Sequence, residues 1–447
     1  MKQQVDNFTF LTHAPVHKVI LKMAVPTIIS MLVTSFYNMA DTYFVGQINT
    51  QSTAAVGIVY SVMTIVQAVG FFFGHGSGNY ISRKLGAREV ADAERMAATG
   101  FFYAIVAGIV IAALGLAFLT PLSHLLGSTP TILPYTERYL GIILLGTPFM
   151  TGGMVMNNQM RFQGNAALAM YGIVSGAVLN VVLDPLFIFG FGMGISGAAT
   201  ATVLSQMFSF CILFRMTHNR QNIGIRPRNF SLAPHYMKEI FLGGTPSLSR
   251  QGLGSLSTAM LNVAASAYGD AAIAGMSIVT RITMFLYATV IGLCQGFQPL
   301  CGFCYGARLY SRVHEGFSYS IKLGTAFLTV CAVVGFLFSG HIVELFRDDP
   351  AVIVVGSAAF RWQLLTYPFI TYIVATNMLL QTIRKPIRAN LVAAARSGLF
   401  FIPLIIILPR CFGLLGVEIC QAAADACALA LSVPMAISAF NDMKHRR

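Results

Sequence analysis

Charge is scarce in this sequence. Only 10% of its 447 residues are Asp, Glu, Lys or Arg, against about 25% in an ordinary soluble domain. The shortage runs the length of the chain and excludes a globular protein whose surface faces water. Acids are scarcest, 16 against 29 Lys and Arg. No G-x-x-x-x-G-K-[ST] phosphate loop is present and no soluble nucleotide domain, which sets aside nucleotide-driven pumping. The eight cysteines fall almost entirely in apolar stretches and read as small apolar residues, not as a disulfide framework. Cys301-x-x-Cys304 stands at the end of one stretch with no second pair, so it is not taken as a metal or redox centre.

Apolar residues supply what charge does not. They make up 56% of the chain, and a span needs about 20 mainly apolar residues. Twelve such stretches run over 16–43, 54–81, 96–119, 137–159, 166–190, 194–216, 240–268, 272–304, 314–338, 352–381, 388–409 and 413–439. They are continuous and far longer than the strands of about ten residues that build a barrel, so they predict helices. The expected fold is all-α and integral to a membrane. The polar start, MKQQVDNFTF, precedes a first apolar run too long for the core of a signal peptide, so no cleavage is expected.

The net charge of +13 would suit nucleic acid if it were clustered. Instead it alternates with the spans. With the N-terminus inside, the inner segments hold 22 Lys and Arg, among them Arg83, Lys84, Arg88, Arg215, Arg308, Arg312, Lys385 and Arg388. The outer segments hold four: Arg138, Arg347, Arg361 and Arg410. The positive-inside rule then predicts both termini in the cytoplasm. The basic charge is a topology signal, and no nucleic acid partner is expected.

The sequence repeats itself. Pro148-Phe149-Met150-Thr151 recurs as Pro368-Phe369-Ile370-Thr371, and Gly86-Ala87-Arg88 as Gly306-Ala307-Arg308. Pro26 matches Pro246, Gly76 matches Gly296 and Asn157 matches Asn377, every pair at the same offset. One offset held from the first span to the tenth predicts two halves, 1–225 and 226–447, joined by a basic segment around 215–238. Six spans per half is an even number, so the halves should be parallel repeats with a substrate path at their interface.

An ionisable group inside a span costs at least about 2.5–3.5 kcal/mol and needs a reason. In the first half, Asp41 follows Lys22 at the same spacing as Asp184 follows Asn165, where each helix enters. Both acids therefore lie about 28 Å along their helices, at similar depth. Tyr37 precedes Asp41 by one helical turn and Asn180 precedes Asp184 likewise, so each shares a helix face with its acid. Pro185 cannot donate to the carbonyl of Val181. Thr202 on span 6 lies about two turns in and could close a group of oxygen ligands for a proton, hydronium or small cation. At the repeat offset, Asp41 becomes Leu261, Asn180 becomes Phe400 and Asp184 becomes Leu404. The architecture therefore does not demand the acids, although hydroxyls nearby could satisfy each as a buried carboxylate. The second half carries Arg250, Arg281, Arg396 and Asp425, each near mid-depth. They read as an ion-paired network, with Asp425 expected on Arg396, or as a charged cavity wall. His75 shows no partner in the sequence and is expected to be structural.

These residues resemble the MATE family of multidrug and toxic compound extrusion transporters over nearly the whole chain. The similarity is carried by AVPTIISMLVTSFYNMADTYFVG (24–46), GNYISRKLGARE (78–89), LNVVLDPLFIFGFGMGISGAATATVLSQ (179–206), GFQPLCGFCYGAR (296–308) and GVEICQAAADACAL (416–429). The chain is most similar to the DinF-like bacterial branch, in which an acid on helix 1, an Asn-x-x-x-Asp on helix 5 and a Thr on helix 6 form a cation site. Asp41, Asn180, Asp184 and Thr202 match those positions, and Tyr37 matches an accompanying tyrosine. The sequence lacks carboxylates in spans 7, 8 and 10, where the NorM-like branch has its sodium site. Cys304 departs from the asparagine usual in its motif. The resemblance implies twelve transmembrane helices in an N-lobe and a C-lobe, and export of organic cations or amphipathic drugs in exchange for protons or sodium.

No cofactor is expected, nor a metal beyond sodium at Asp41, Asn180, Asp184 and Thr202. The expected partners are small cationic or amphipathic molecules and the lipid bilayer, the expected state a monomer, and the expected location the bacterial inner membrane. A flippase of a lipid-linked precursor is the alternative, since the C-half arginines would suit a phosphate. A membrane enzyme is set aside because no polar loop shapes a substrate site beside the acids.

Overall fold

The computed structural model describes residues 2–219 and 222–445, and these are almost wholly helical. The first half runs α1 (Lys2–His13), α2 (Val16–Gly46), α3 (Thr50–Gly86), α4 (Val90–Ala117), α5 (Leu119–Leu125), α6 (Leu133–Phe162), α7 (Ala166–Pro185) and α8 (Ile195–Thr217). The second runs α9 (Pro234–Ser266), α10 (Asp270–Gly306), α11 (Tyr310–Leu337), α12 (Ser339–Glu344), α13 (Pro350–Thr366), α14 (Ile370–Thr382), α15 (Pro386–Ala394), α16 (Phe401–Phe412) and α17 (Leu414–Lys444). Among the described residues, eleven segments are long and apolar enough to cross a membrane, counting α13 with α14 and α15 with α16 as one each. The expected span at 240–268 is α9, a 33-residue helix. Its centre, GGTPSLSRQGLGSLS, is too polar for the same test, so this span is long enough but not apolar enough.

The repeat predicted from sequence is built into the backbone. The bounds of α3 and α10, and of α4 and α11, differ by the repeat offset at both ends. Arg88 and Arg308 both adopt left-handed φ, 62° and 61°, and each closes the helix before it. There the amides of Glu89 and Leu309 return to the carbonyls of Lys84 and Cys304, at 2.8 and 2.7 Å, the capping bond that a left-handed residue permits. The Asn157 amide donates to the Ala169 carbonyl at 2.9 Å, and that of Asn377 to Ala389 at 2.7 Å. The halves diverge at their shared prolines. Helix α6 continues through Pro148, whereas Pro368 lies in a tight turn, Tyr367–Phe369, that separates α13 from α14.

The chain divides into two compact units, and the division is not at 225. One comprises Met1–His13 and Ile29–Gly244, the other Ala14–Ile28 and Thr245–Arg447. The expected boundary falls inside the first unit because the linker is pinned there. Ile223 and Ile225 are buried, the Ile223 amide donates to Gln163 Oε1 at 2.7 Å, and that of Ser231 to Thr99 Oγ1 at 3.2 Å. Helix α1, outside the expected spans, is fastened to the same unit by the Asn7 amide, which donates to Asn165 Oδ1 at 3.0 Å.

Each unit therefore holds the first part of a long helix that continues in the other, and glycine makes this possible. In the first unit a Cβ on Gly76 would lie 2.3 Å from the Ile240 carbonyl oxygen. In the second, one on Gly296 would lie 2.6 Å from the Ala24 Cα. Both obstacles are backbone and cannot rotate away. We predict that Gly76→Val or Gly296→Val lowers the melting temperature in detergent, at an overpacking cost of about 1–3 kcal/mol or more. Gly57→Ala, with nothing within 4 Å of its Cβ, should melt like wild type.

Candidate functional site

The two acids of the first half meet. Asp41 on α2 and Asp184 on α7 are both buried, 9% and 0% exposed, with their carboxyls within hydrogen-bonding reach of each other. Asn180 joins them, its amide 3.5 Å from Asp184 Oδ1 and 3.4 Å from Thr202 Oγ1. Helices α2, α7 and α8 thus each bring one face to a single cluster, as the i, i+4 spacing of Asn180 and Asp184 requires.

The cluster is not saturated by its own groups. Asp41 Oδ1, Asp184 Oδ2 and Asn180 Oδ1 are buried with no hydrogen-bond partner, as is Ser205 Oγ one turn along α8 from Thr202. Pro185 carries no N–H for the Val181 carbonyl, and the next amide, Leu186, bonds Leu183 instead. Buried polar atoms are nearly always paired. Several unpaired oxygens around two facing carboxyls form a donor set for a proton or a small hard cation.

Tyr37 lies in the same field, with Gln206 of α8 beside its hydroxyl. Two of these residues escaped the sequence reading. Gln206 is one. Tyr139 on α6 is the other, 1% exposed and beside Thr202. The repeat carried a signal for it, since its counterpart in the second half is Ala359.

In the second unit the corresponding region is apolar. Leu261, Phe400 and Leu404 belong to an apolar cluster with Met276, Phe360, Phe401 and Ile405. The charged residues there do not form one network. Arg396 Nε donates to Asp425 Oδ1 at 2.8 Å, joined by Gln421 Nε2 at 2.9 Å, and the guanidinium lies 4.6 Å from the Tyr287 ring centre. Arg250 turns instead to Asn377 Oδ1, at 2.7 Å. Arg281 is exposed on α10 and in no ion pair among the described residues. A second acid on the Asp425 helix, Glu418, is also buried. His75 does have a partner: its Nε2 lies 3.1 Å from Arg161 Nη2, which also donates to Asn158 Oδ1 at 2.6 Å. No disulfide joins the cysteines, and no group of three or more metal-ligating side chains forms among the described residues.

The MatE family model matches residues 26–186 and again residues 246–407. The chain belongs to the MATE family. The second match begins at Pro246, the repeat counterpart of Pro26, so the family pattern falls once on each repeat. The multidrug export protein MepA of Staphylococcus aureus strain MRSA252 is 27% identical over 426 residues, 92% of this chain and 91% of that one. MepA of Staphylococcus haemolyticus is 27% identical over 426 residues with the same coverage. The fold matches a MATE crystallised in complex with MaL6, with a TM-score of 0.92, 25% identity and 98% and 99% of the two chains covered. It matches an outward-facing multidrug resistance MATE transporter of the MOP superfamily at 0.91, 26% identical, with 97% and 98% covered. The chain is thus a multi-pass membrane protein of a multidrug efflux transporter family, with the twelve-helix MATE fold, and the family is one of transporters, not enzymes.

In this MATE chain the energetics of the Arg396–Asp425 pair can be measured. The side chains of Arg396 and Asp425 are 16% and 1% exposed, and removing one partner of a buried pair strands the other at a cost of about 3–5 kcal/mol. Asp425→Ala should express poorly or melt early, and adding Arg396→Ala should restore part of the loss. A single variant as stable as wild type would mean that water solvates the guanidinium.

Proposed function

We propose that this MATE transporter exports organic cations or other amphipathic drugs in antiport with protons or sodium. Asp41 and Asp184 are the coupling carboxylates, while Asn180, Thr202 and Tyr37 complete their site. The observation that carries this reading is the facing pair of buried carboxyls with unpartnered oxygens, set against Leu261 and Leu404 in the apolar counterpart. Two negative charges that close in a low-dielectric interior repel strongly. A proton or sodium ion relieves that repulsion, and so does a cationic substrate. One site that accepts either, but not both, couples their movements in opposite directions. The name MepA, a multidrug export protein, supports the direction of transport. Alternating access by two parallel repeats, a plasma-membrane location and cytoplasmic termini complete the proposal.

A flippase for a lipid-linked precursor is the second reading. It is favoured by Arg281, a guanidinium exposed part-way along α10 with no carboxylate in ion-pair contact among the described residues.

In liposomes the protein should move a cationic dye against an imposed proton or sodium gradient, each applied separately. Asp41→Asn and Asp184→Asn should each abolish gradient-driven transport with near-normal protein abundance. Wild-type transport by either variant removes that residue from the mechanism. Failure of the wild-type protein to move any dye, with a labelled lipid moved instead, favours the flippase.

A further inference from the structure

One end of α8 carries a feature the coupling mechanism does not use. Two open cavities, of about 490 and 500 Å³, flank its last turns, and Arg215 and His218 line both. On one side Ile212 and Met216 complete the wall. On the other the wall is Phe210, Cys211 and Phe214. Both grooves are thus mainly apolar, and they meet at a ridge of two polar side chains, Arg215 and His218.

The ridge is held in place from within the helix. His218 Nδ1 donates to the Phe214 carbonyl at 2.9 Å, so Nε2 donates to a partner outside the helix in the imidazolium form, and its ring lies 4.7 Å from that of Phe214. Phe214 in turn stacks on Phe210 with planes 9° apart. Arg215 and His218 are exposed and make no ion pair among the described residues. Cations at this end do complement the helix dipole, but that does not account for two apolar grooves sharing them. Nor does the architecture require them. The glycines that open α8 and α17, Gly194 and Gly413, share a φ of 61°. Aligning the two helices on those glycines sets Arg215 against Pro434 and His218 against Ile437. The second repeat presents an exposed Ile437 to its surroundings, 54% accessible, as an ordinary lipid-facing helix does.

We infer that this end of α8 binds one anionic phospholipid, its phosphodiester on Arg215 and His218 and an acyl chain in each groove. Basic pockets at the inner face of a membrane recognise anionic headgroups by this chemistry, and the positive-inside bias assigns the ridge to that face. Two apolar grooves on either side of one charged ridge fit a two-chain lipid, whereas a free phosphate would leave both unfilled.

The test uses the full-length protein in nanodiscs of phosphatidylcholine, with and without phosphatidylglycerol, and native mass spectrometry to count retained lipids. Wild type should retain one phosphatidylglycerol in preference to phosphatidylcholine and melt higher when it is present. Arg215→Ala with His218→Ala should lose both preferences, the affinity falling about fivefold for the lost guanidinium charge, while melting like wild type in phosphatidylcholine alone. If the double variant folds poorly there, Arg215→Gln against Arg215→Lys decides, the lysine keeping the preference and the glutamine losing it. Equal retention by wild type and every cation-removing variant overturns the assignment. Competition by glycerol phosphate as strong as by the whole lipid overturns the two-groove geometry.

Discussion

Hydrocarbon cannot solvate a polar group, and the rest of this structure follows from that. A backbone N–H or C=O without a partner in the bilayer costs several kcal/mol, so the chain must cross as helices that satisfy themselves. The same penalty falls on side chains. Most polar groups within the helices answer it locally: Asn157 and Asn377 bond a backbone carbonyl, Arg250 bonds Asn377, and Arg396 bonds Asp425. Asp41 and Asp184 differ in that two buried carboxyls face each other, each with an oxygen that lacks a partner and with no cationic side chain in ion-pair contact among the described residues. In our reading the transported ion, or its substrate competitor, supplies the missing compensation.

The duplication sharpens this reading because it offers a comparison inside one molecule. Helices α3 and α4 recur as α10 and α11 with the same lengths and caps, so the common architecture explains what is shared, and what is not shared needs a separate reason. The shared part includes the close packing of Gly76 and Gly296 and the left-handed arginines after α3 and α10. The unshared part includes Asp41, Asn180, Asp184 and Tyr139 in one unit, and Arg396 with Asp425 in the other. His75 and Arg161 follow the same logic, since their counterparts are Gln295 and Gln381. The first repeat keeps a cationic buried pair where the second has two neutral amides.

The spans, the constant repeat offset and the convergence of Asp41, Asn180, Asp184 and Thr202 could all be read in the sequence. The spans rest on apolar run length, the offset on matched residues, and the convergence on equal depth along the helices together with the family resemblance. What could not be read depends on how separate helices pack. The compact units exchange Ala14–Ile28 against the start of α9 although no composition change marks either crossing. Tyr139 and Gln206 come to lie beside Thr202 and Tyr37 from helices whose rotation only tertiary packing sets. Arg250 looked like a member of one cluster with Arg396 because both lie at one depth, yet depth says nothing of azimuth, and Arg250 faces Asn377 instead. Helix α1 was missed because a short polar helix docked by Asn7 has no apolar run to announce it.

The central claim is that ion and substrate compete for one pair of carboxyls. Ion release on substrate binding tests it most directly. Purified protein in weakly buffered detergent solution would be mixed with a cationic dye while a pH indicator and a sodium electrode report the free ions. The account predicts that dye binding releases protons or sodium from wild type, and neither ion when Asp41 and Asp184 are both replaced by asparagine. Saturable dye binding to wild type with no ion released would contradict it.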